Sequence, residues 1–371
     1  MKILVLPDTG FSYNSVRPEA EIYISLAEVG HDVTIMTTSN NAYAQDYQNS
    51  KVTFINLPFQ KKFSWQLIKI IHHYIIEHKI DIVYATTSKT IPNAALACLS
   101  TKAKMIAYRG TTGGLYRSDI INYLAMLNPR INGVVCVSNA VTKHVQKKVR
   151  PAIKDKVKTI YKGHKLDWYN KPSINLTSIG SDSQYFNIFC IASNRPHKGF
   201  DYVLEAANKL TELTNIRLIL VGKDATCEPL SSKIKTTALA DKIICLGYRE
   251  DVPEIAAACD LLILPSLREG LPRVILEALA VGTPVLTSAN EGAMEIIEHN
   301  INGYIVPIAN SQAIAQSIKY FHQHPDVLAR LSQSAQTTIE TKMSHQKTVE
   351  NMLDFFSDIL SSANLSYSTM K

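Results

Sequence analysis

Hydrophobic residues in the first half of the chain form short continuous runs that alternate with segments of helical periodicity. Runs of strand length cover residues 3–6, 33–37, 52–57, 82–86, 105–108, 134–137 and 157–161. Helical patterns cover residues 18–29, 65–78, 93–99 and 140–149. Continuous apolar strands that alternate with helices are typical of a parallel sheet covered on both faces. Such sheets bind ligands at the carboxyl ends of their strands.

The same alternation restarts after a polar, turn-rich segment at 170–185. Strand runs then cover 186–191, 217–221, 243–246, 261–264, 284–287 and 304–306. Helical patterns fall near 200–213, 230–239, 252–259, 272–280, 292–299 and 310–323, and a helical tail covers roughly 325–361. The sequence therefore predicts an α/β protein with two facing Rossmann-like domains, at 1–168 and 186–345, joined by a linker at 169–185.

One strand, loop and helix, at 261–280, stands out as a candidate site. Pro272 suits the first helical position, where its missing N–H costs nothing, and Gly270 lets the backbone approach a ligand closely. The N–H groups and dipole at a helix start favour an anion. Glu269 lies in the loop, and Glu277 lies one to two turns into the helix, about 8 Å along its axis. The two glutamates alone are equally compatible with a solvated helix face.

The residues around these glutamates resemble the Glu-x7-Glu signature of the family 4 glycosyltransferases, a branch of the group 1 glycosyltransferases. Pro-Ser precedes the signature at 265–266, Glu-Gly-Leu-Pro opens it at 269–272, and Glu-Ala-Leu-Ala-x-Gly-x-Pro-Val follows at 277–285. The resemblance implies the GT-B fold, in which the last helix crosses back to the first domain. We therefore expect residues 346–371 to pack on residues 1–168.

The resemblance also implies a role for each residue of this stretch. Glu277 would bind the ribose hydroxyls of a nucleoside diphosphate sugar, the donor. Glu269 and the backbone amides of Gly270 and Leu271 would bind the transferred sugar, with Pro272 completing the donor site. The resemblance implies a retaining reaction in which the leaving phosphate helps to remove the acceptor proton.

Two cations after the strand at 186–191 suit a pyrophosphate. The Arg195 guanidinium would form two parallel hydrogen bonds to the phosphate oxygens, and the Lys198 ammonium would act as a point charge. Lys198-Gly199 matches the family pattern, whereas Ala192-Ser193 stand where the family usually has Gly-Arg, and Arg195 lies two positions later. A solvated loop pair is the alternative interpretation.

Residues 247–252 resemble the family loop that meets the nucleotide base, which makes Tyr248 and Arg249 candidates for donor binding. An ordinary strand-to-helix turn, capped by Asp251, is compatible with the same residues.

The first domain departs from the family pattern after its first strand. The family usually has a Gly-Gly loop and a Glu-Arg helix start there, but this chain has one glycine, Gly10, after Asp8, and then Arg17. We expect Gly10 to touch the donor and Asp8 and Arg17 to lie on the acceptor side.

A second departure follows the strand at 105–108. Many family members carry a histidine of the catalytic loop there, whereas this chain has Tyr108-Arg109. Arg109 is the candidate catalytic replacement, with Thr111 and Thr112 on the acceptor side. The glycines at 110–114 are equally compatible with a purely structural turn.

Composition narrows the remaining possibilities. The 371 residues are 46% hydrophobic and 19% charged, which is ordinary for a globular enzyme, and no apolar run reaches membrane-span length. The six cysteines include no Cys-x-x-Cys pair, so we expect reduced thiols in a cytoplasmic protein. The sequence contains no dinucleotide fingerprint, P-loop or Asp-x-Asp motif. It therefore predicts no cofactor and no metal.

Charge is distributed unevenly. Residues 1–163 carry a net charge of +11 and the remainder −4. Basic residues alternate with apolar ones at 61–71 and 143–158, which suits an anionic membrane surface. Core-facing helices with solvated backs would give the same pattern. Aromatic residues for base stacking are sparse, so we expect no nucleic-acid partner.

These observations predict a metal-independent, retaining glycosyltransferase that acts on a glycan or lipid-linked glycan acceptor in polysaccharide or glycoconjugate biosynthesis. We expect a cytoplasmic protein, peripheral at the inner face of the cell membrane. Two alternatives remain at the sequence level. One is a sugar-nucleotide epimerase on the same fold, and the other is a non-catalytic sugar-nucleotide-binding partner.

Overall fold

A computed structural model of the chain describes residues 1–7 and 12–368, with side chains up to residue 361. The chain divides into two compact units. One comprises Met1–Gly163 together with the segment from His345 onwards, and the other comprises His164–Ser344. The predicted linker at 169–185 lies within the second unit.

The first unit contains, among its described residues, a seven-stranded parallel sheet in the order β3-β2-β1-β4-β5-β6-β7. The strands are β1 (Lys2–Leu6), β2 (Asp32–Thr37), β3 (Thr53–Asn56), β4 (Ile82–Ala85), β5 (Lys104–Arg109), β6 (Ile131–Cys136) and β7 (Val157–Thr159). The helices are α1 (Tyr13–Glu28), α2 (Ala44–Gln48), α3 (Trp65–His78), α4 (Thr90–Ala97), α5 (Ile120–Leu124) and α6 (Asn139–Gln146). Every strand predicted in this half is confirmed.

The second unit contains, within the part of the chain described, a six-stranded parallel sheet in the order β10-β9-β8-β11-β12-β13. The strands are β8 (Phe186–Ile191), β9 (Ile216–Val221), β10 (Ile243–Gly247), β11 (Leu261–Leu264), β12 (Val285–Ser288) and β13 (Tyr304–Val306). The helices are α7 (Phe200–Ala207), α8 (Leu230–Lys235), α9 (Val252–Ala257), α10 (Arg273–Ala280), α11 (Glu291–Met294), α12 (Ser311–Gln323) and α13 (Pro325–Thr341). The predicted strands are again confirmed.

The strand order places a topological switch between β8 and β11. From β8 the chain builds the sheet outward to β9 and β10, then returns to add β11 on the other side of β8. The loops that follow β8 and β11 therefore diverge at neighbouring strand ends and leave a crevice, the usual ligand position in such sheets.

The last helix, α14 (His345–Ser368), belongs to the first unit, where it packs on α1. Phe355, Phe356 and Ile359 of α14 are buried in the same hydrophobic cluster as Tyr23 and Tyr84. This confirms the expected return of the tail to the first domain.

Several helix predictions were too long. The pattern at 200–213 gives a helix that ends at Ala207, and the pattern at 292–299 gives only Glu291–Met294. The predicted tail is two helices, because the chain breaks after Thr341 and restarts at His345. The short helices α2 and α5 were not predicted.

Candidate functional site

Lys198 and Glu269 meet at the switch point of the second sheet. Lys198 ends the short 3-10 helix Pro196–Lys198 after β8, and Glu269 lies in the loop after β11. The Lys198 Nζ donates to Glu269 Oε1 at 2.8 Å. Both side chains are largely buried, which strengthens their attraction relative to an exposed pair.

The two loops are held together by close backbone contact. Gly199 has φ +66°, and a Cβ there would lie 2.2 Å from the carbonyl oxygen of Pro265. Only glycine fits this position. The Leu267 N–H also donates to the His197 carbonyl oxygen at 2.8 Å. The pairing of Lys198 with Glu269 therefore rests on a rigid frame.

Hydrogen bonds from buried polar side chains hold the loop after β11 in place. Ser266 Oγ donates to Glu269 Oε1 at 2.7 Å. The carbonyl oxygen of the fully buried Ser266 accepts from Ser288 Oγ and, at 3.1 Å, from Asn290 Nδ2. Asn290 also caps α11, because its Oδ1 accepts from the Ala293 N–H at 3.0 Å. Sequence analysis missed these supporting residues, although Asn290 follows a predicted strand at the ligand-binding edge.

Gly292 in α11 was missed as well. A Cβ at this position would lie 2.6 Å from the Gly270 carbonyl oxygen and 2.7 Å from that of Glu269. Backbone atoms cannot move aside as a flexible side chain can, so a larger residue at 292 would displace the loop that carries Glu269.

Glu277 lies in α10, and its residue surface is 8% exposed. The interpretation of this glutamate as part of a solvated helix face is therefore wrong. Pro272 occupies the N-cap rather than the first helical position, one residue earlier than predicted. Gly270 and Leu271 lie half-buried in the same loop.

The loop after β8 leaves Arg195 exposed. The backbone beside it is fixed, because the Asn194 N–H donates to Asp224 Oδ2 at 2.8 Å. Burial, and then the neighbouring Lys198 ammonium, lower the pKa of His197, which is consistent with a locally cationic loop. Arg195, which is predicted to bind the pyrophosphate together with Lys198, thus lies in the same loop as Lys198 but is not in contact with Glu269 within the described structure.

Tyr248 and Arg249 lie after β10, two strands from β8. Arg249 donates to both carboxylate oxygens of Asp251, at 2.7 and 2.5 Å. These hydrogen bonds hold the pKa of Asp251 below its usual range. Asp251 stands at the N-cap of α9 without a side-chain cap, so the predicted capping role is wrong. Tyr248 is 62% exposed and available to a ligand.

In the first unit, Arg109 binds its own loop. Its Nε donates to the Thr111 carbonyl oxygen at 2.9 Å, and its Nη2 donates to that of Gly113. Burial lowers the pKa of the Arg109 guanidinium. Thr111 is exposed and Thr112 is half-buried. The geometry gives Arg109 a structural part in this glycine turn.

Arg17, another candidate of the first unit, lies on α1 with its guanidinium 4.7 Å from the ring centre of Tyr13. The remaining two candidates, Asp8 and Gly10, lie outside the described residues.

The described residues contain neither a metal-binding cluster nor a membrane-spanning helix. No group of three or more His, Cys, Asp or Glu side chains there could hold a metal ion. No helix among them is long and apolar enough to cross a membrane.

Comparison with known proteins agrees with the geometry of both units. Residues 175–338 match the family described as Glycosyl transferases group 1, and residues 20–168 match Glycosyltransferase Family 4. The chain belongs to family 4 of the glycosyltransferases. The first match falls on the unit that holds Lys198, Glu269 and Glu277.

Two of the curated relatives match about half of the chain. An uncharacterized glycosyltransferase of Methanocaldococcus jannaschii is 29% identical over 56% of this chain and 56% of its own length. A UDP-Gal:alpha-D-GlcNAc-diphosphoundecaprenol alpha-1,3-galactosyltransferase of Escherichia coli is 25% identical over 52% of this chain and 50% of its own length. The chain thus spans about half the length of these relatives.

Solved structures show the same fold over nearly the whole chain. HepE of Anabaena, crystallised in complex with UDP, superposes with a TM-score of 0.80 at 21% identity, over 96% of this chain and 100% of that one. The predicted GT-B fold is confirmed.

Proposed function

We propose that this protein is a retaining, metal-independent glycosyltransferase that moves a sugar from a nucleoside diphosphate sugar to a glycan or lipid-linked glycan acceptor. The observation that carries the proposal is the contact between Lys198 and Glu269 at the switch point, beside a helix that buries Glu277. A cation, a helix start and two carboxylates suit an ester that combines a diphosphate with hydroxyl-rich groups.

Each side chain has a chemical task in this proposal. Glu277 accepts hydrogen bonds from the ribose hydroxyls. The Lys198 ammonium faces the pyrophosphate and stabilises the charge that develops there when the bond to the sugar breaks. Arg195, exposed in the same loop, swings in when the anion binds.

Glu269 is already oriented for a sugar. Both hydrogen bonds to its side chain, from Lys198 and Ser266, fall on Oε1. Among the described residues Oε2 has no hydrogen-bond partner, so it is available to accept from a sugar hydroxyl. The Gly270 and Leu271 amides complete this half of the donor site.

The reaction then depends on positioning and charge stabilisation. The leaving phosphate takes part in removing the acceptor proton, so the protein need not supply a strong base. Holding donor and acceptor in one geometry lowers the entropic part of the barrier. Nothing in this scheme requires a metal ion or cofactor.

The proposed substrates are of the kinds named for similar proteins. HepE was crystallised with UDP, and the Escherichia coli relative is named for a UDP-sugar and a diphosphoundecaprenol-linked acceptor. We propose a UDP-sugar donor and a lipid-linked or glycan acceptor. A cytoplasmic protein, peripheral on an anionic membrane, would meet such an acceptor.

A thermal-shift panel of nucleotide sugars and nucleoside diphosphates tests the donor. A ligand that binds only the folded state stabilises it by an amount that rises with its concentration over its dissociation constant. We expect a shift with at least one nucleotide sugar and a smaller shift in Glu277→Gln. No shift with any member of the panel would contradict the proposal.

Turnover separates the proposed reaction from its alternatives. With donor and an acceptor panel, we expect a glycoside with the donor's anomeric configuration, formed equally in EDTA. An altered donor without acceptor would indicate an epimerase, and binding without turnover would indicate a non-catalytic protein. Loss of activity in EDTA, restored by manganese or magnesium, would contradict metal independence.

A further inference from the structure

The segment from Tyr116 to Leu124 in the first unit presents apolar side chains to solvent. The exposed fractions are 59% for Tyr116, 77% for Ile120, 48% for Ile121, 45% for Tyr123 and 42% for Leu124. Isolated exposed apolar residues are normal on protein surfaces, but a contiguous group of this size indicates an interaction site.

One polar residue of this segment, Asn122, points inward, while the large apolar residues around it are exposed. Asn122 is buried, and its Nδ2 donates to the Tyr116 carbonyl oxygen at 3.1 Å and to Asp119 Oδ2 at 3.1 Å. Asp119 also caps α5, because its Oδ1 accepts from the Ile121 N–H at 2.9 Å. These hydrogen bonds fix the conformation of the turn, in which the apolar side chains are exposed to solvent.

Arg117 ties this turn to the basic segment at 143–158. Its Nε donates to the Lys148 carbonyl oxygen at 3.0 Å, and its Nη2 donates to that of Val149 at 3.4 Å. The basic segment carries seven Lys and Arg against one acid. The apolar residues of α6 face the core, with Val141 and Val145 buried, while Lys143 on this helix and Lys147 directly after it are exposed. The expected alternative, a core-facing helix with a solvated back, is correct for α6 itself.

We propose that the Tyr116–Leu124 turn inserts into the interfacial region of an anionic lipid surface while Lys143 of α6 and Lys147 directly after it bind the headgroups. This proposal rests on the proposed membrane partner and assigns it a docking surface. Tyrosine and isoleucine suit the boundary between headgroups and acyl chains, and each lysine near an anionic surface adds attraction.

The positive charge beside the turn favours an anionic lipid surface over a second copy of the chain as the partner. A symmetric dimer would place the same patch on both sides of the contact. The lysines beside the turn would then face lysines, which is unfavourable, whereas an anionic surface complements them.

A second exposed group lies on the same face of the sheet. Right-handed crossovers place α3 and α6 together on the face opposite α1. On α3, Ile68 and Ile71 are buried, but Trp65 and Lys69 are exposed. This helix extends the basic and apolar character of the face.

Vesicle co-sedimentation of the full chain tests the proposal. Vesicles of phosphatidylcholine with phosphatidylglycerol are compared with vesicles of phosphatidylcholine alone, at low and high salt. We expect binding to the anionic vesicles that weakens with salt, because exposed charges are screened. Equal binding to both vesicles, or binding to neither, would overturn the proposal.

Two pairs of variants locate the docking surface. Ile120→Ser with Ile121→Ser should lower the partition coefficient by at least roughly tenfold, since the lost apolar burial involves two large side chains. Met294→Ser with Ile301→Ser, exposed apolar residues of the second unit, is the matched control and should bind as the parent does. A parent-like result for the isoleucine pair would overturn the assignment.

The contribution of the lysines to vesicle binding is tested with the double variant Lys143→Gln with Lys147→Gln. We expect a loss of about fivefold per lysine on anionic vesicles. Lys209→Gln with Lys235→Gln, which removes exposed lysines of the second unit, is the control. Equal losses in both pairs would overturn the assignment of headgroup binding to Lys143 and Lys147, because net charge alone would then explain the binding.

Two further measurements separate the docking surface from a dimer contact and from the donor site. If the isoleucine pair changes the sedimentation coefficient but not vesicle binding, a second copy covers the turn and the proposal is wrong. All variants should bind nucleoside diphosphate as the parent does, because none touches the donor site. A parent that binds vesicles but no diphosphate would contradict the proposed function while supporting the docking surface.

Discussion

The ammonium of Lys198 lies 2.8 Å from a carboxylate oxygen of Glu269, although 71 residues separate them in the sequence. The contact exists because β8 and β11 are neighbours at the switch point of the second sheet. It joins two residues to which the sequence assigned separate tasks, one at the pyrophosphate and one at the sugar. In the proposed function, a donor would therefore meet a cation already oriented by the carboxylate that is assigned to the sugar.

This contact predicts that Lys198 and Glu269 act together. Lys198→Ala alone should lower kcat/KM about 10- to 150-fold, since a hydrogen bond to a charged group is worth about 1.5–3 kcal/mol. The activation free energy lost in the double variant Lys198→Ala with Glu269→Ala should be smaller than the sum of the losses in the two single variants. The difference, which is the coupling energy, should be at least about 0.5 kcal/mol. The measurement is a double-mutant cycle in steady-state kinetics.

The exposed pair Lys233 and Asp201, at 2.7 Å in the same unit, provides a control cycle that should show negligible coupling. An unaffected Lys198→Ala enzyme would mean that Lys198 is a solvated loop residue. Strict additivity would mean that the pair does not act as a unit.

Gly292→Ala should impair the enzyme without touching a ligand. The added Cβ meets the Gly270 and Glu269 carbonyl oxygens at 2.6 and 2.7 Å, so the loop must shift. A displacement of this kind is expected to lower kcat/KM by roughly 100-fold, because reacting groups must be held closely.

Gly303→Ala separates this effect from a general folding defect. Its Cβ would meet the Val285 carbonyl oxygen at 2.9 Å in the same sheet, away from the loop after β11. We expect Gly303→Ala to lower the melting temperature but leave kcat/KM of the folded enzyme close to the parent value. Equal kinetic losses in both variants would refute a loss caused by displacement of the loop.

Glu19 and Lys162 form a buried ion pair in the first unit, and its removal should destabilise the fold. Their side chains are 16% and 18% exposed, and Tyr23 also donates to Glu19 at 2.7 Å. Burial raises the pKa of Glu19, but the Lys162 ammonium and the hydrogen bonds to it outweigh burial and hold that pKa below its usual value. Glu19→Gln leaves Lys162 unpaired and should cost about 3 kcal/mol near neutral pH.

The pH dependence has a definite sign. A carboxyl with a lowered folded pKa contributes stability above its unfolded pKa, about 4.3, and loses it as pH falls through the folded value. Urea unfolding should therefore show the parent and Glu19→Gln converging in acid. Asp201→Asn, which breaks an exposed pair, should cost under about 1 kcal/mol. A pH-independent difference between the parent and Glu19→Gln would contradict this account.

Much of the fold was predictable because buried parallel strands are nearly continuous apolar runs. Helix ends were less predictable because tertiary contacts set them. The apolar periodicity of the tail continues through residues 342–344, yet the helix breaks there. At that point the His164 N–H donates to the Met343 carbonyl oxygen at 2.8 Å, a contact that no local pattern reveals.

The candidate site shows the same limit. The sequence pattern made Glu269, Glu277 and Lys198 candidates, because a strand followed by a loop and a helix start is typical of an anion site. It could not show that Lys198 bonds to Glu269, or that Gly292 supports the loop, because both facts depend on strand order. The contacts of Arg109 could not be predicted for a related reason. A strand-end arginine looks available in sequence, but here it binds the carbonyl oxygens of its own turn.

The most direct test of the donor site is calorimetric titration of a nucleoside diphosphate into Glu277→Gln and Glu269→Gln, each first shown to be folded. Glu277 is assigned to ribose, which the diphosphate contains, and Glu269 to the sugar, which it lacks. The account predicts that Glu277→Gln binds the diphosphate at least about tenfold more weakly than the parent, whereas Glu269→Gln binds it nearly normally but turns over donor slowly. If Glu269→Gln loses diphosphate binding and Glu277→Gln retains it, the donor binds in the opposite orientation. Parent-like behaviour of both variants would contradict the site altogether.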